Sequence, residues 1–399
     1  MEQIIIERSQ CCGCHACYAA CPSNSIVMIE DEEGFLQPNI KTETCSDCGL
    51  CKAVCPLINK KHLNIKPNNK AYGAYVLDEK IRLNSSSGGL FTAIAENVIR
   101  KGGVVFGACF DADLKVVHDC ISNIEDLKLF RGSKYVQSMI GEVFNQVKEV
   151  LLNDRYVLFT GTPCQIGGLL SYLGKSYDKL ITQDIICHGV PSPKFWNEYI
   201  RNIQIKHKSD LYSFNFRDKR NGWNNYYVTY NFKNGTSITE RATENVYMKA
   251  FFNDLCLRKS CYNCSFKTIA RQADITLADF WGIDNVIPEL NNEKGTSLIS
   301  LNTYKGENIF KEISGDLVYK EVDIKDAIKY NPSMIKSVKC SKNRNLFMLN
   351  FSKGDLEKLA VKSSSKRSIC GIAGIGRRIC NKVKRTYRLI KYKHRKEGK

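Results

Sequence analysis

The sequence predicts a small α+β module at the amino end of the chain, followed by a larger region of mixed α/β structure. Eight cysteines in the first 55 residues repeat one spacing, which assigns residues 1–62 to the small module. From residue 70 onward, short apolar strands alternate with apolar segments of helical period, a pattern typical of parallel sheets covered by helices. A length of 399 residues allows two or three domains.

The doubled cysteine pattern is that of a ferredoxin-like module with two 4Fe–4S clusters. In each copy, gaps of two, two and three residues separate four cysteines, and a proline follows the last. In such modules three cysteines of one copy bind one cluster, and the fourth binds the other cluster. The spacing therefore assigns one cluster to Cys11, Cys14, Cys17 and Cys55, and the other to Cys45, Cys48, Cys51 and Cys21.

Two other uses of these cysteines are the alternatives. Zinc sites also contain cysteine pairs, but they need four ligands per ion rather than eight in this doubled order. Disulfides suit small secreted proteins, and no secretion signal is expected here. Cys12 is interpreted as a bystander thiol, and His15 as a surface residue.

Local signals predict the first strands and the junction that follows them. Residues 25–30 and 35–40 are predicted strands because they flank an acidic turn that ends in Gly34. Residues 59–69 are rich in lysine and asparagine and contain a proline, so they form a predicted linker.

The larger region is predicted to begin with a strand at 71–76 and a helix from Leu90, in which Leu90, Ile94 and Val98 recur at helical spacing. A helix that opens at Thr162 joins two strands, so those strands form a parallel pair. These and the remaining predicted elements are strands at 104–110, 156–160, 180–186, 274–277 and 297–302, a hairpin of 225–232 with 236–240, and helices at 139–152 and 244–256.

Four further cysteines suggest a third cluster. Cys164 follows the carboxyl end of one predicted parallel strand and Cys187 ends the next, and ligands of open α/β sheets bind at that edge. Cys261 and Cys264 have the two-residue gap that lets two sulfurs bind one metal centre. The alternatives are buried cysteines that pack as small apolar residues, or zinc held by the pair. Cys256 is interpreted as a spare.

Two flexible segments predict an anion site. Residues 85–89 are rich in serine and glycine and open a helix, whose free N–H groups favour phosphate. Residues 131–134 form a second basic turn, and the two together suit a dinucleotide. An ordinary helix cap and an ordinary turn are the alternatives. Since clusters carry single electrons and organic redox reactions move pairs, a flavin is the expected link between them.

Charge is concentrated near the carboxyl end. The formal net charge is +18, and residues 362–399 hold 14 Lys and Arg against the single acid Glu397. Residues 360–399 are predicted to form a basic amphipathic tail on an anionic membrane, with a solvated tail as the alternative. Nucleic-acid binding is not expected. With no leader or membrane-spanning segment expected, the predicted location is the cytoplasm, or the periphery of the inner face of the membrane.

Five motifs make the chain resemble the coenzyme F420 hydrogenase/dehydrogenase beta-subunit family, in its bacterial form with an amino-terminal ferredoxin module. The motifs lie at 86–91, 131–138, 161–165, 187–189 and 273–276. The resemblance covers about residues 70–330 and implies an FAD-binding domain at 70–152 and a domain with the third cluster at 153–335. Similar sequences tend to carry glycine where this chain has Ala278.

The resemblance also implies individual roles. It implies 4Fe–4S ligands at Cys164, Cys187, Cys261 and Cys264. The implied flavin contacts are Ser87, Gly88, Gly89, Gly132, Ser133, Lys134 and Gln137. Asp279 and Trp281 match family motifs without an assigned role.

The expected function is that of an iron–sulfur flavoprotein oxidoreductase, linked to surface-polysaccharide synthesis as the resemblance implies. Its expected partner is a redox protein or a small electron donor or acceptor. The alternatives are a non-catalytic electron-transfer subunit, a true coenzyme F420 oxidoreductase, or an assembly protein docked on a membrane by its tail. No catalytic acid or base is predicted.

Overall fold

The computed structural model describes residues 5–59, 70–354 and 356–363 and arranges their strands in three sheets. The strands are β1 (Ile26–Glu30), β2 (Leu36–Ile40), β3 (Lys70–Val76), β4 (Val104–Phe110), β5 (Val116–Ile121), β6 (Val157–Gly161), β7 (Leu180–Ile185), β8 (Leu211–Asp218), β9 (Tyr227–Phe232), β10 (Ser237–Arg241), β11 (Ile275–Asp279), β12 (Ser297–Leu301) and β13 (Leu317–Asp323). Most of the predicted linker 59–69 and of the predicted tail 360–399 lies outside the described residues.

Helices connect and cover these strands. They are α1 (Ala16–Ala19), α2 (Leu50–Ala53), α3 (Glu79–Leu83), α4 (Leu90–Arg100), α5 (Leu127–Phe130), α6 (Val143–Leu152), α7 (Pro163–Leu173), α8 (Pro193–His207), α9 (Val246–Phe252), α10 (Ile283–Val286), α11 (Tyr304–Ile313), α12 (Ile324–Ile328), α13 (Arg344–Asn350) and α14 (Leu356–Ser363). Across the described ranges, no helix is long and apolar enough to cross a membrane.

The amino-terminal module repeats its backbone as well as its sequence. β1 and β2 form the antiparallel hairpin, and the short helices α1 and α2 follow the two cysteine loops. Gly13 and Asp47 occupy equivalent places in the two loops, and both have positive φ, 67° and 50°. His15 and Gly49 form a second equivalent pair, at 65° and 72°. The two loops therefore turn in the same way, which follows from their common spacing.

The main sheet has the strand order β13-β3-β12-β11-β7-β6-β4-β5. Its centre is parallel, from β4 through β6 and β7 to β11, and the outer strands pair antiparallel. β3 comes from the first predicted domain of the larger region and lies between β12 and β13 from the second. The boundary predicted near residue 152 therefore does not separate two sheets.

Both faces of the main sheet are buried. Val105, Leu158 and Ile181 point to the face covered by α4 and α11. Phe106 and Phe159, next along the same strands, point to the face covered by α6 and α7. Burying one such side chain contributes roughly 1.5–3 kcal/mol, so this alternation fixes the register. The parallel pairing of β4, β6, β7 and β11 places the carboxyl ends of these four strands at one edge of the sheet.

The third sheet, β10-β9-β8, packs with α8, α9, α13 and α14 in an aromatic core. The core surrounds Trp196, whose indole N–H donates to the carbonyl of Leu114 at 2.7 Å. Phe35 of the amino-terminal module belongs to the same core. The small module is therefore anchored on the larger region by apolar packing.

The predicted strands overlap observed strands in every case, as β1 to β4, β6, β7 and β9 to β12, and the parallel pairing of β6 with β7 is confirmed. Two helix limits were wrong. Met139 does not start a helix but forms an isolated β-bridge with Val117 of β5, and α6 begins only at Val143. α9 ends at Phe252 because Asp254 adopts a left-handed φ of 56°.

Candidate iron–sulfur and flavin sites

Five cysteines of the small module line one cavity: Cys12 and the four that are assigned to one cluster. Its walls include Cys11, Cys14, Cys17 and Cys55, the set that the spacing assigns to one cluster, and its empty space is about 360 Å³ including the mouth. Burial, with the charges of Cys11 and Cys55, raises the pKa of Cys17 to about 12. Thiols collected in this way lose their protons only when a metal centre compensates the charge. We call these four residues the inner set.

The other predicted set lies nearer the surface. Cys48 is exposed, Cys45 and Cys51 are half-buried, and residues 46–50 of this loop are exposed. The charges of Cys45 and Cys48 contribute to a raised pKa of Cys51, after burial as the main cause. The backbone N–H of Ser25 donates to the sulfur of Cys21 at 3.3 Å. We call Cys45, Cys48, Cys51 and Cys21 the outer set.

The third set comes together at the carboxyl edge of the main sheet. Cys164 lies in the first turn of α7, which begins with a capping box of Thr162 and Gln165, and Cys187 follows β7. Cys261 and Cys264 belong to a short 3₁₀ turn, 259–263, and to its end. Burial, followed by the charges of Cys187, Cys164 and Cys264, raises the pKa of Cys261. The four thiols come from distant segments of the chain and lie close enough for their charges to affect one another.

Two cations, the half-buried Lys267 and the buried Arg271, border this third set. Lys267 donates to the carbonyls of Cys187, His188 and Ser333. Arg271 is 2% exposed and pairs with Asp184 at 3.6 Å, while its Nε and Nη2 have no hydrogen-bond partner among the described residues. Positive charge and unused donors near four thiols suit an anionic iron–sulfur cluster, whose sulfurs accept hydrogen bonds. These residues fit such a group.

The structure buries both His15 and Cys12, the two residues of the first cysteine loop to which no cluster role was assigned. His15 was predicted at the surface, but it is 4% exposed, and burial lowers its pKa to about 4. Cys12 is buried in the same packed cluster as Cys14 of the inner set and Cys164 of the third set. The neighbouring Cys12 thiol, followed by burial, raises the pKa of Cys164. His15 and Cys12 are both buried because the first cysteine loop packs against α7 instead of facing water. Cys256 lies in the aromatic core as a small apolar side chain.

The described cysteines are all free thiols. No three His, Cys, Asp or Glu side chains within 5–59, 70–354 and 356–363 form a group suited to a single metal ion. A cubane distributes its four thiolates over four irons, whereas zinc draws its ligands to one point.

The two segments with implied flavin contacts meet in space. The backbone N–H and the hydroxyl of Ser133 both donate to Ser86 Oγ, at 2.8 and 2.9 Å. Ser87, Gly88 and Gly89 lead into α4, whose first turn receives no side-chain cap. A Cβ at Gly88 would lie 2.5 Å from the carbonyl oxygen of Ala74, whereas Gly132 borders open space. The loops at 85–89 and 131–134 thus meet beside a helix N-terminus, and we call residues 85–89 the serine loop.

Lys134 and Gln137 have partners within the protein. Lys134 Nζ donates to the carbonyls of Leu129 and Arg131, both at 2.9 Å. Gln137 donates from Nε2 to the carbonyl of Cys12 at 3.0 Å, and its Oε1 accepts from Arg258 at 2.9 Å. Gln137 therefore belongs to the contact between the cysteine loop and the larger region, and both polar atoms of its amide are used there.

Two buried cations beside Ser86 and Ser87 were not predicted from the sequence. Arg217 donates to the carbonyl of Ser86 at 3.2 Å and pairs with Asp279 at 2.6 Å, and Lys219 donates to the carbonyl of Ser87 at 2.8 Å. Burial, with the neighbouring charge of Arg217, lowers the pKa of Lys219 to about 7. The basic run at 217–220 was visible in the sequence, but nothing in it indicated burial.

Asp279 and Trp281 belong to a group of contacts around the buried side chain of Arg217. Asp279 accepts from Arg217 and from the indole N–H of Trp223, the latter at 3.1 Å. Trp223 stacks on Trp281 with ring centres 4.9 Å apart. The motif residues therefore fix the orientation of Arg217 beside the serine loop.

Three protein-family models match the chain. Residues 71–145 match the N-terminal region of the coenzyme F420 hydrogenase/dehydrogenase beta subunit, and residues 154–327 match its C terminus. Residues 10–57 match the 4Fe-4S dicluster domain.

Relatives cover parts of the chain. An uncharacterized protein of Methanocaldococcus jannaschii is 24% identical over 212 residues, which are 45% of this chain and 57% of that protein. A protein of Methanosarcina mazei, named as the F subunit of F(420)H(2) dehydrogenase, is 23% identical over 174 residues, 40% of this chain and 48% of its own length. The chain thus spans about half the length of these relatives. An uncharacterized ferredoxin of Methanocaldococcus jannaschii is 32% identical over 68 residues, 17% of this chain and 87% of the ferredoxin.

Among solved structures, a chain of the F420-reducing [NiFe] hydrogenase complex from Methanosarcina barkeri matches with a TM-score of 0.45 and 16% identity, over 77% of this chain and 95% of that chain. The matches to both halves of the beta subunit, together with the doubled cysteine module, identify the chain as a member of the coenzyme F420 hydrogenase/dehydrogenase beta-subunit family with an amino-terminal 4Fe–4S dicluster domain.

Proposed function

We propose that this chain is an iron–sulfur flavoprotein oxidoreductase that relays electrons between its ferredoxin module and a two-electron partner through a third cluster and FAD. One observation carries the proposal. The third set lies beside the inner set: Cys12, Cys14 and Cys164 pack in one cluster, and Gly168, on the helix that carries Cys164, closely approaches Cys14. Bound clusters supply one-electron transfer, and a flavin supplies the change from one electron to two.

The protein's own groups support binding of the third cluster. Thr162 Oγ1 lies 3.1 Å from the sulfur of Cys164. Lys267 holds the chain at Cys187 through its hydrogen bonds to backbone carbonyls, and it also brings a positive charge to the site. These contacts position the ligand segments before any metal arrives, which lowers the ordering cost of binding.

The meeting of the serine loop with residues 131–134 supports the flavin. Lys219 donates to three carbonyls, those of Arg82, Ser87 and Lys294, so it fixes the loop that precedes α4. Together with Arg217 it places two cations near the start of that helix. A dinucleotide diphosphate is the kind of anion that such a helix start and such cations bind.

A second candidate function is that of an electron-transfer subunit without catalysis of its own. The observation in its favour is that one relative is named as a subunit of F(420)H(2) dehydrogenase. Reduction of coenzyme F420 itself, a link to surface polysaccharides and membrane contact of the tail stay predictions. The tail's proposed helix lies beyond the described residues.

The test is a count of cofactors. The full chain is purified without oxygen, and iron, sulfide and released flavin are measured per chain. About twelve irons and one FAD are expected, at four irons per cluster. About eight irons with no flavin contradicts the enzyme and leaves the electron-transfer subunit.

A pair of variants sharpens the count. Cys187→Ser removes one thiol of the third set and is expected to lower the iron content to about eight. Cys256→Ala is the matched control, because Cys256 is fully buried in the aromatic core and is expected to leave iron unchanged. Equal iron in both variants contradicts a cluster at the third set.

A further inference from the structure

The junction between the small module and the larger region brings two of the three cysteine sets together. A Cβ placed on Gly168 of α7 would lie 2.8 Å from the Cβ of Cys14, so the helix backbone touches the inner cysteine loop. In the outer loop, a Cβ added to Gly49, the counterpart of His15, would have no atom within 4 Å. The inner set therefore faces the third set, and the outer set faces away from the junction.

Arg258 connects the two neighbouring sets directly. Its Nε donates to the carbonyl of Cys11 at 2.7 Å, and its own carbonyl accepts from the backbone N–H of Cys261 at 2.9 Å. Its Nη2 donates to the carbonyl of Leu36 at 3.0 Å, and Nη1 donates to Gln137. One residue thus contacts a cysteine of the inner set and a cysteine of the third set.

The charge of Arg258 has no carboxylate partner within the described part of the chain. The side chain is 2% exposed, and the oxygens that accept from it belong to two backbone carbonyls and one amide. Buried guanidinium groups are normally paired with an anion, because an unpaired buried charge is costly. Arg344, also buried in this region, follows that rule by pairing with Glu33 at 2.6 Å.

The anions that Arg258 lacks are the ones that the cysteine sets would provide. A cubane with four thiolate ligands is negatively charged, and it gains a further negative charge on reduction. A nearby cation therefore favours the reduced form and raises the reduction potential.

We propose, building on the proposed function, that Arg258 raises the reduction potentials of the inner and third clusters relative to the outer cluster. One electron then leaves the outer cluster, which is oxidised, and reduces the inner cluster, with no bond formed or broken and no proton moved. The order of transfer is outer, inner, third. Arg258 acts as a positioning and tuning residue and touches no substrate.

The test is a redox titration of the anaerobic full-length protein, followed by the electron paramagnetic resonance signal of each cluster. In Arg258→Gln, the equilibrium constant for passing an electron from the outer to the inner cluster is expected to fall at least tenfold, which is about 59 mV for one electron. The potential of the outer cluster is expected to stay the same. Arg258→Lys retains the charge and is expected to restore most of the difference.

Two further variants separate tuning from folding. Gln137→Glu places a carboxylate against Nη1 of Arg258 without removing the guanidinium, so it is expected to lower the same potentials. Arg344→Gln is the matched control: it removes a buried guanidinium that also contacts the small module, but one already paired with Glu33. It is expected to leave the potentials unchanged.

Three results overturn the inference. The first is unchanged potentials in Arg258→Gln at full iron content. The second is an equal fall in all three clusters. The third is loss of iron in both Arg258→Gln and Gln137→Glu while Arg344→Gln retains it, which makes Arg258 a structural residue only. Failure of the proposed function is seen separately, as eight irons in the wild type, and the inner and outer potentials still test Arg258 in that case.

Discussion

Replacement of Asp279 by asparagine tests whether the buried pair with Arg217 holds the serine loop in place. The two side chains form hydrogen bonds of 2.6 and 3.2 Å and are 14% and 2% exposed, respectively. Removing one partner of a buried pair costs about 3–5 kcal/mol, because the other charge stays buried. The asparagine side chain retains one acceptor and the site is slightly exposed, so we expect a loss of about 3 kcal/mol, at the lower end of that range.

The assay is native-state hydrogen exchange of the full chain. A loss of about 3 kcal/mol corresponds to a roughly hundredfold faster exchange of amides in β8 and β11 that open locally. Asp218→Asn is the control, since its partner Arg220 is 53% exposed and such pairs contribute about 0–1 kcal/mol. Equal acceleration in both variants would refute the reasoning.

Three other predictions follow from the same sites. Because the pKa of Lys219 is lowered to about 7, its positive charge is present below that pH and lost above it. The affinity for FAD, measured by flavin fluorescence, is therefore expected to fall about tenfold between pH 6 and pH 8. Lys219→Arg keeps its charge across this range and is expected to show the same FAD affinity at both pH values. Gly168→Val is expected to separate α7 from Cys14, exposing the inner loop to faster thiol alkylation. Gly315→Val is the control: its Cβ would meet open space and its φ is not positive, so the alkylation rate is expected to stay unchanged. Deletion after Ser363 is expected to abolish binding to anionic liposomes at low salt, while the intact chain binds less as salt rises; binding that survives the deletion contradicts the tail prediction.

The sequence contained much of the fold, because its signals are local. The apolar runs of β4 and β6 and the helical period from Leu90 specify elements that both faces of the sheet then bury. Edge strands β5, β8 and β13 went unpredicted, since half-exposed strands have no continuous apolar run. The positions of Cys164 and Cys187 at the carboxyl edge of the sheet were predicted from the strand–helix–strand pattern along the chain.

The missed residues share one physical reason. Arg217, Lys219 and Arg258 are basic residues, and sequence pattern gives no sign that a cation is buried. Their burial depends on acceptors far along the chain, such as the carbonyl of Ser87 for Lys219 and that of Cys11 for Arg258. Gln137 was assigned to the flavin through a motif, and only its tertiary contacts reveal the link to Cys12.

The position of β3 affects how the chain reaches its native state during synthesis. This strand is made early, yet both of its neighbours, β12 and β13, emerge from the ribosome more than two hundred residues later. Until then its edges have nothing to pair with, and such edges attract other chains. The ferredoxin module precedes this strand and contains all eight cysteines of the inner and outer sets, so both ligand sets are complete before the sheet closes.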